Sequence, residues 1–192
     1  PYLDGLSQWS DPLRRPFILL NADKSNFVRS RIDVIHELGH LVLHRYLDME
    51  LVARGRLHTM VEKQAFRFTS EFLLPQEEWL RDVRKLGKPT LTSLRTVKQK
   101  WRVSIAAQIM RLEQTGEISA ERKESLYKQL SNRKWKEREP FDDAWEMEKP
   151  KLFKQATEML ISKGYDATTL QSLMPLRPDN LSEVTSLPRA FF

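Results

Sequence analysis

His36-Glu37-Leu38-Gly39-His40 lies inside an apolar run from Ile32 to Tyr46, with Val34, Ile35, Leu38, Leu41, Val42 and Leu43 around the polar residues. The pattern is that of a buried helix carrying H-E-x-x-H. Residues four apart share a helical face, so His36 and His40 aim two imidazoles at one point. Two neutral imidazoles so placed suit a zinc ion, which accepts nitrogen at about 2.0–2.1 Å. Glu37 is placed to lean over the metal and take a proton from water instead of binding the metal itself. The pentapeptide thus predicts half of a metal site and its general base. The plainer alternative is a core helix with two structural histidines and a salt-bridging glutamate. Three of the four histidines, His36, His40 and His44, fall here at spacings of four.

A catalytic zinc takes a third protein ligand and leaves its fourth position to water. The run after His40, Leu41-Val42-Leu43-His44-Arg45-Tyr46, lacks the glycine and late histidine of a metzincin, and the chain has no cysteine. The third ligand therefore comes from elsewhere. The next helix-like segment, Val61 to Leu74, supplies Glu62 and Glu71, with Ala65, Phe66, Phe68, Thr69, Phe72 and Leu73 at helical spacing. Glu62 shares a face with Ala65, Phe66 and Thr69, whereas Glu71 falls nearer the other side. A carboxylate on a buried face is costly unless paired or metal-bound, which favours Glu62. The alternative is an exposed first-turn glutamate favoured by the helix dipole.

The two motifs together, H-E-L-G-H-L-x-L-H at 36–44 and E-x-x-A-x-x-F-x-x-x-x-L-x-P at 62–75, resemble the ImmA/IrrE family of zinc-dependent peptidases. Arg15-Pro16-Phe17-Ile18-Leu19-Leu20-Asn21 is similar to the strand that precedes the site in that family, and Arg29 and Arg31 to its arginine-rich entry into the catalytic helix. The resemblance is strongest over about residues 14–75 and weaker beyond. It implies Glu62 as the third zinc ligand. It also implies a small zincin-like domain, α+β and mainly helical, with a short antiparallel sheet. For function it implies cleavage of a partner transcriptional repressor, often encoded beside or fused to the peptidase and carried on phages or mobile elements. One departure is Phe66, where the family often has asparagine, which removes an expected hydrogen bond behind the ligands.

A chain of 192 residues holds one domain, or one plus an appendage. The absence of cysteine suits a reducing cytoplasm, and no apolar run approaches the ~20 residues of a membrane span. No signal peptide is visible, and a start at Pro1-Tyr2 without methionine suggests that an upstream segment is missing. The net charge of +6 is unevenly placed: residues 84–138 hold 15 Lys/Arg against 5 Asp/Glu. Such a block can attract nucleic acid or an acidic surface, and is more often a solvated face. Three segments are expected: a peptidase core at 1–83, a basic helical segment at 84–138 and a C-terminal helical segment at 139–192.

In the basic segment, Leu91, Leu94, Val97 and Trp101 form one stripe, and Ser104 reads as the N-cap of a helix through Leu112 that Gly116 closes. Two short helices about Arg102-Val103-Ser104 outline a helix-turn-helix, with Gln108 and Arg111 as candidate base readers. The start of the second helix is poor in donors and acceptors, so a structural role is preferred. The phrase Trp-x-Val-Ser-x-x-Ala also recurs after the peptidase motif in the family the chain resembles. In the last third, a helix is expected from Pro150 to Gly164, and another from Ala167 to Leu173, capped by Asp166 and stopped before Pro175. Leu176-Arg177-Pro178 and Leu187-Pro188 read as loops. Phe17 to Leu20 reads as a strand followed by a turn at Asn21-Ala22-Asp23, beside which an extended substrate can add.

The expected function is a cytoplasmic zinc endopeptidase in which Glu37 acts as base and acid and His36, His40 and Glu62 hold Zn2+. Its expected partner is a helix-turn-helix repressor. His44, Tyr46 and His58 are candidate donors to the oxyanion by type, His44 being expected instead to cap or pack the helix end. Arg31 and Asp33 could orient ligands, though surface ion pairing is commoner. The alternative is a DNA-binding regulator, making weak nucleic-acid contacts through its basic segment, or a toxin–antitoxin component with a structural metal site.

Overall fold

The computed structural model describes residues 4–21, 26–47, 52, 56–148, 151–174, 176–185 and 187–191. The chain divides into two compact units, Pro1–Met147 and Glu148–Phe192. The first is α+β and mainly helical. Strands β1 (Gly5–Ser10) and β2 (Arg15–Leu20) form an antiparallel hairpin in which Gly5 pairs with Leu20 and Ser10 with Arg15. The expected strand Phe17–Leu20 is the last four residues of β2, and the family-like stretch Arg15–Asn21 takes in all of it. Ala22 and Asp23 of the expected turn lie outside the described residues, as do Pro150 and Pro175.

Helix α1 (Phe27–Leu43) carries the H-E-x-x-H residues. It starts earlier than the apolar run suggests, because the Asn26 side chain accepts hydrogen bonds from Val28 N and Arg29 N at 2.9 and 3.1 Å. Its end is set at His44, whose backbone N–H donates to His40 O. Helix α2 (Arg56–Leu73) packs on α1. The crossing is close because Gly39 sits over Ala65: a Cβ at Gly39 would stand 3.4 Å from Ala65 Cα and 3.1 Å from Phe68 Cδ1. The hairpin is fastened to α1 by Trp9, whose Nε1–H donates to Leu41 O at 3.1 Å, with the Arg45 guanidinium over the indole at 3.8 Å.

Helices α3 (Gln76–Lys85), α4 (Leu91–Trp101), α5 (Ile105–Gln114) and α6 (Ala120–Asn132) build the main core. Trp79, Leu80 and Val83, Leu91, Leu94 and Val97, Ile105, Ile109 and Leu112, and Leu126 and Leu130 recur at three- and four-residue spacing and meet in one apolar cluster. Thr90 and Ser93 form a reciprocal cap on α4, and Ser104 caps α5 by accepting from Ala107 N. Arg31 caps the other end of α4, donating to the carbonyls of Trp101 and Arg102.

The turn between α4 and α5 has the expected outline, with Arg102 in the left-handed region at φ 53°. Its candidate base readers are interior. Gln108 is fully buried and donates to Leu94 O and Val103 O; Arg111 is buried, donates to Leu74 O and pairs with Glu71. The start of α5 is covered by the Glu139 carboxylate, which accepts from Ile105 N at 2.6 Å and Ala106 N at 2.9 Å while pairing with buried Lys98 at 2.8 Å.

The second unit holds α7 (Leu152–Ser162), α8 (Ala167–Leu173), α9 (Pro178–Thr185) and a 3-10 turn at Arg189–Phe191. Asp166 caps α8 as expected, accepting from Thr169 N at 2.8 Å. The loop reading of Leu176-Arg177-Pro178 is corrected at its last residue. Pro178 opens α9, a position where its missing N–H costs nothing and its fixed φ suits a helix.

Candidate metal centre

Helix α1 supplies His36 and His40 one turn apart, and the close α1–α2 crossing brings Glu62 opposite them. His36 Nε2 lies 3.1 Å from His40 Nε2 and 3.1 Å from Glu62 Oε2, and His40 Nε2 lies 3.4 Å from Glu62 Oε1. Donors at about 2.0–2.1 Å from one tetrahedral zinc stand roughly 3.3 Å from one another, so these separations fit a single ion. Both imidazoles are largely shielded and Glu62 is one-third exposed, which leaves one open side. The three side chains form a donor set that can hold a metal ion. Glu71, the other carboxylate weighed, pairs with Arg111 instead.

Burial first, and then the neighbouring His36, push the His40 imidazole below the usual histidine range. The neutral ring this favours is the form that binds metal. Behind His40 stands His44, buried, with Nδ1 3.1 Å from His40 Nδ1 and Nε2 2.9 Å from Gln64 Oε1. His44 thus both caps the helix, as expected, and touches His40. His36 is supported differently. Its ring packs on Phe66 with centroids 4.3 Å apart, and its Nδ1 is buried without a hydrogen-bond partner among the described residues.

Glu37 is buried against β1 and lines the same cleft as His36, His40 and Glu62. The cleft has a volume of about 670 Å³ and runs along Asp4–Trp9 on one side and His58 and Phe66 on the other. The strand bordering it is therefore β1, which sequence analysis missed; Gly5-Leu6-Ser7-Gln8-Trp9 has little strand-like alternation. His58, a candidate oxyanion donor by residue type alone, lies one turn before Glu62 on α2, its Nε2 3.9 Å from Glu62 Oε1. That i, i+4 spacing was the signal that could have found it. Tyr46 is 89% exposed, its ring near Arg45. Asp33 lines the cleft, whereas Arg31 serves α4. A second, apolar cavity of about 360 Å³ shares Ile32 and Phe66 with the cleft and continues to Met110 and Tyr127.

Among the described residues, no helix is long and apolar enough to cross a membrane. No curated protein and no solved structure matches the chain. The family model of the M78 peptidases, described as the IrrE N-terminal-like domain, matches residues 2–113 and so takes in both motif helices and the helices that support them. A match across more than half of its length places the chain in that family: it belongs to the metal-dependent peptidases of the IrrE N-terminal-like type.

Proposed function

We propose that this protein is a zinc endopeptidase that cuts a partner protein, a helix-turn-helix transcriptional repressor, in the cytoplasm and so releases the genes it silences. The observation that carries the reading is the convergence of His36 Nε2, His40 Nε2 and the Glu62 carboxylate within 3.1–3.4 Å contacts, beside a cleft that also holds Glu37. His36, His40 and Glu62 hold the metal. Zinc, when bound there, supplies Lewis acidity to water and to the peptide carbonyl. Glu37 takes the proton of the attacking water and returns it to the leaving amine, a role served by a carboxylate shielded from bulk water. An extended substrate lies along β1, where backbone pairing gives affinity, and the cavity beyond Phe66 receives an apolar side chain. A repressor as substrate rests on the family's known biology rather than on the cleft.

The test is cleavage of helix-turn-helix repressors encoded near this chain, by wild type and Glu37→Gln at equal zinc content. Loss of about 10²–10⁴-fold in rate is expected. Undiminished cleavage by the variant removes Glu37 from the mechanism, and a chelator-resistant activity removes the metal. The DNA-reading alternative gains nothing from α5, whose candidate readers Gln108 and Arg111 are engaged inside the fold.

A further inference from the structure

Two side chains outside the donor set reach it from behind. Gln64 Oε1 stands 2.9 Å from His44 Nε2, and His44 Nδ1 stands 3.1 Å from His40 Nδ1. On the far edge of the His40 ring, Nε2 faces His36 Nε2 and Glu62. A neutral imidazole has one N–H and one bare nitrogen, so the protons along this line run in one of two directions. With Gln64 accepting, His44 donates from Nε2 and its Nδ1 accepts from His40 Nδ1–H. His40 Nε2 is then left as a bare lone pair aimed at the other donors. With the amide reversed, Gln64 donates to His44, His44 Nδ1–H donates to His40, and the His40 proton sits on Nε2, where a ligand must be bare. Only the first direction makes His40 a metal ligand.

We propose that Gln64 and His44 are positioning residues which fix the tautomer and ring plane of His40, and so set the affinity of the centre for a divalent cation. The inference rests on the metal-site reading above. It distinguishes the two imidazoles at their Nδ1 side: His40 Nδ1 ends a line of hydrogen bonds, whereas His36 Nδ1 has no partner among the described residues and its ring packs on Phe66. It also gives the glutamine a task that its exposed place on α2 does not suggest. Because Gln64 is exposed, replacing it removes the acceptor at little cost in packing.

The experiment titrates zinc into the metal-free full chain against a chromophoric chelator, and records the imidazole nitrogens of the metal-free protein by ¹⁵N-resolved NMR. Gln64→Glu keeps an acceptor and is expected to bind zinc within about threefold of wild type, whereas Gln64→Met weakens binding about tenfold and His44→Phe 10–100-fold. Since the two act in series, the double variant is expected to bind no more weakly than His44→Phe alone. Wild-type His40 is expected as the Nδ1–H tautomer, and Gln64→Met as a mixture. Wild-type affinity in Gln64→Met and His44→Phe, or an Nε2–H tautomer for His40 in wild type, overturns the proposal. A wild type that binds no zinc counts against the metal reading, and the tautomer measurement then judges the hydrogen-bonded line by itself.

Discussion

Gly5 on β1 lies directly against Glu37 on α1: a Cβ at position 5 would stand 2.9 Å from Glu37 Cγ and 3.0 Å from Oε1. The strand therefore presses on the carboxylate only as closely as a glycine permits. Gly5→Ala is expected to push the Glu37 side chain from its place while leaving His36, His40 and Glu62 undisturbed. Cleavage should fall by roughly 10–100-fold, short of the loss from removing the carboxylate, with zinc stoichiometry unchanged. Parallel metal analysis and rate measurement check this; an alanine variant of full activity would show that Glu37 moves aside without consequence.

Gly39 makes a second prediction, about the geometry of the donor set rather than the place of Glu37. A methyl at position 39 would meet Phe68 Cδ1 at 3.1 Å and the Ala65 backbone at 3.4 Å. Helix propensity alone favours alanine by about 1 kcal/mol, while crowding a packed contact costs about 1–3 kcal/mol. Gly39→Ala is thus expected to leave stability unchanged or lower it by up to about 2 kcal/mol. Zinc affinity should fall clearly, because the two helices that carry the donors are forced apart. Chemical denaturation of the metal-free protein beside a chelator titration separates the two effects.

Much of this centre was legible from residue types alone. His36 and His40 at i, i+4 and a glutamate on the inner face of the next helix mark a candidate donor set, and the close α1–α2 crossing brings these three together. The caps at Ser104 and Asp166 were legible for the same local reason. What was not legible depends on distant pairing. Strand β1 carries no alternation because its course is set by Leu19 and Leu20 opposite and by Trp9 bonding to Leu41. Lys98 reads as one more charge in a basic block, and only the fold places Glu139 and Asp142 on it. Gln108 and Arg111 look like surface readers in sequence. They turn inward because α5 packs between α4 and α6, with carbonyls of Leu94, Val103 and Leu74 awaiting donors.

Glu139 joins three needs in one carboxylate. It accepts from two N–H groups at the start of α5, neutralises buried Lys98, and lies beside Asp142, which bonds the same lysine at 2.6 Å. Removing one partner from a buried, hydrogen-bonded ion pair leaves a charge without compensation and costs about 3–5 kcal/mol. Lys98→Met, which strands the two carboxylates, is expected to lose that amount; Glu139→Ala, in which Asp142 still pairs with Lys98, is expected to lose less, chiefly through the unmet N–H groups of Ile105 and Ala106. Lys98→Met together with Glu139→Gln and Asp142→Asn should cost less than removing Lys98 alone, since no unpaired charge remains. Urea unfolding of these variants tests the order; a loss in Glu139→Ala as large as in Lys98→Met would mean that Asp142 does not hold Lys98 by itself.

Arg111 separates the peptidase reading from the DNA-binding one. Its guanidinium is buried against Leu74 O and Glu71, so its charge acts within the fold. A hydrogen bond from a charged donor contributes about 1.5–3 kcal/mol, and Arg111→Met is expected to lose about that much stability. Any binding of duplex DNA at low salt should keep the same affinity and the same salt slope, because no phosphate contact has been removed. Exposed cations of the basic segment behave in the opposite way: Lys88→Ala or Lys100→Ala should leave stability nearly unchanged, and each should lower the slope of log K against log salt by about one if that face meets phosphate. A guanidinium on a base-reading helix would instead discriminate between sequences by about 1–3 kcal/mol. Fluorescence anisotropy with two unrelated duplexes at several salt concentrations measures all of these. Sequence preference lost in Arg111→Met, with the fold intact, would return α5 to the role of a reading helix.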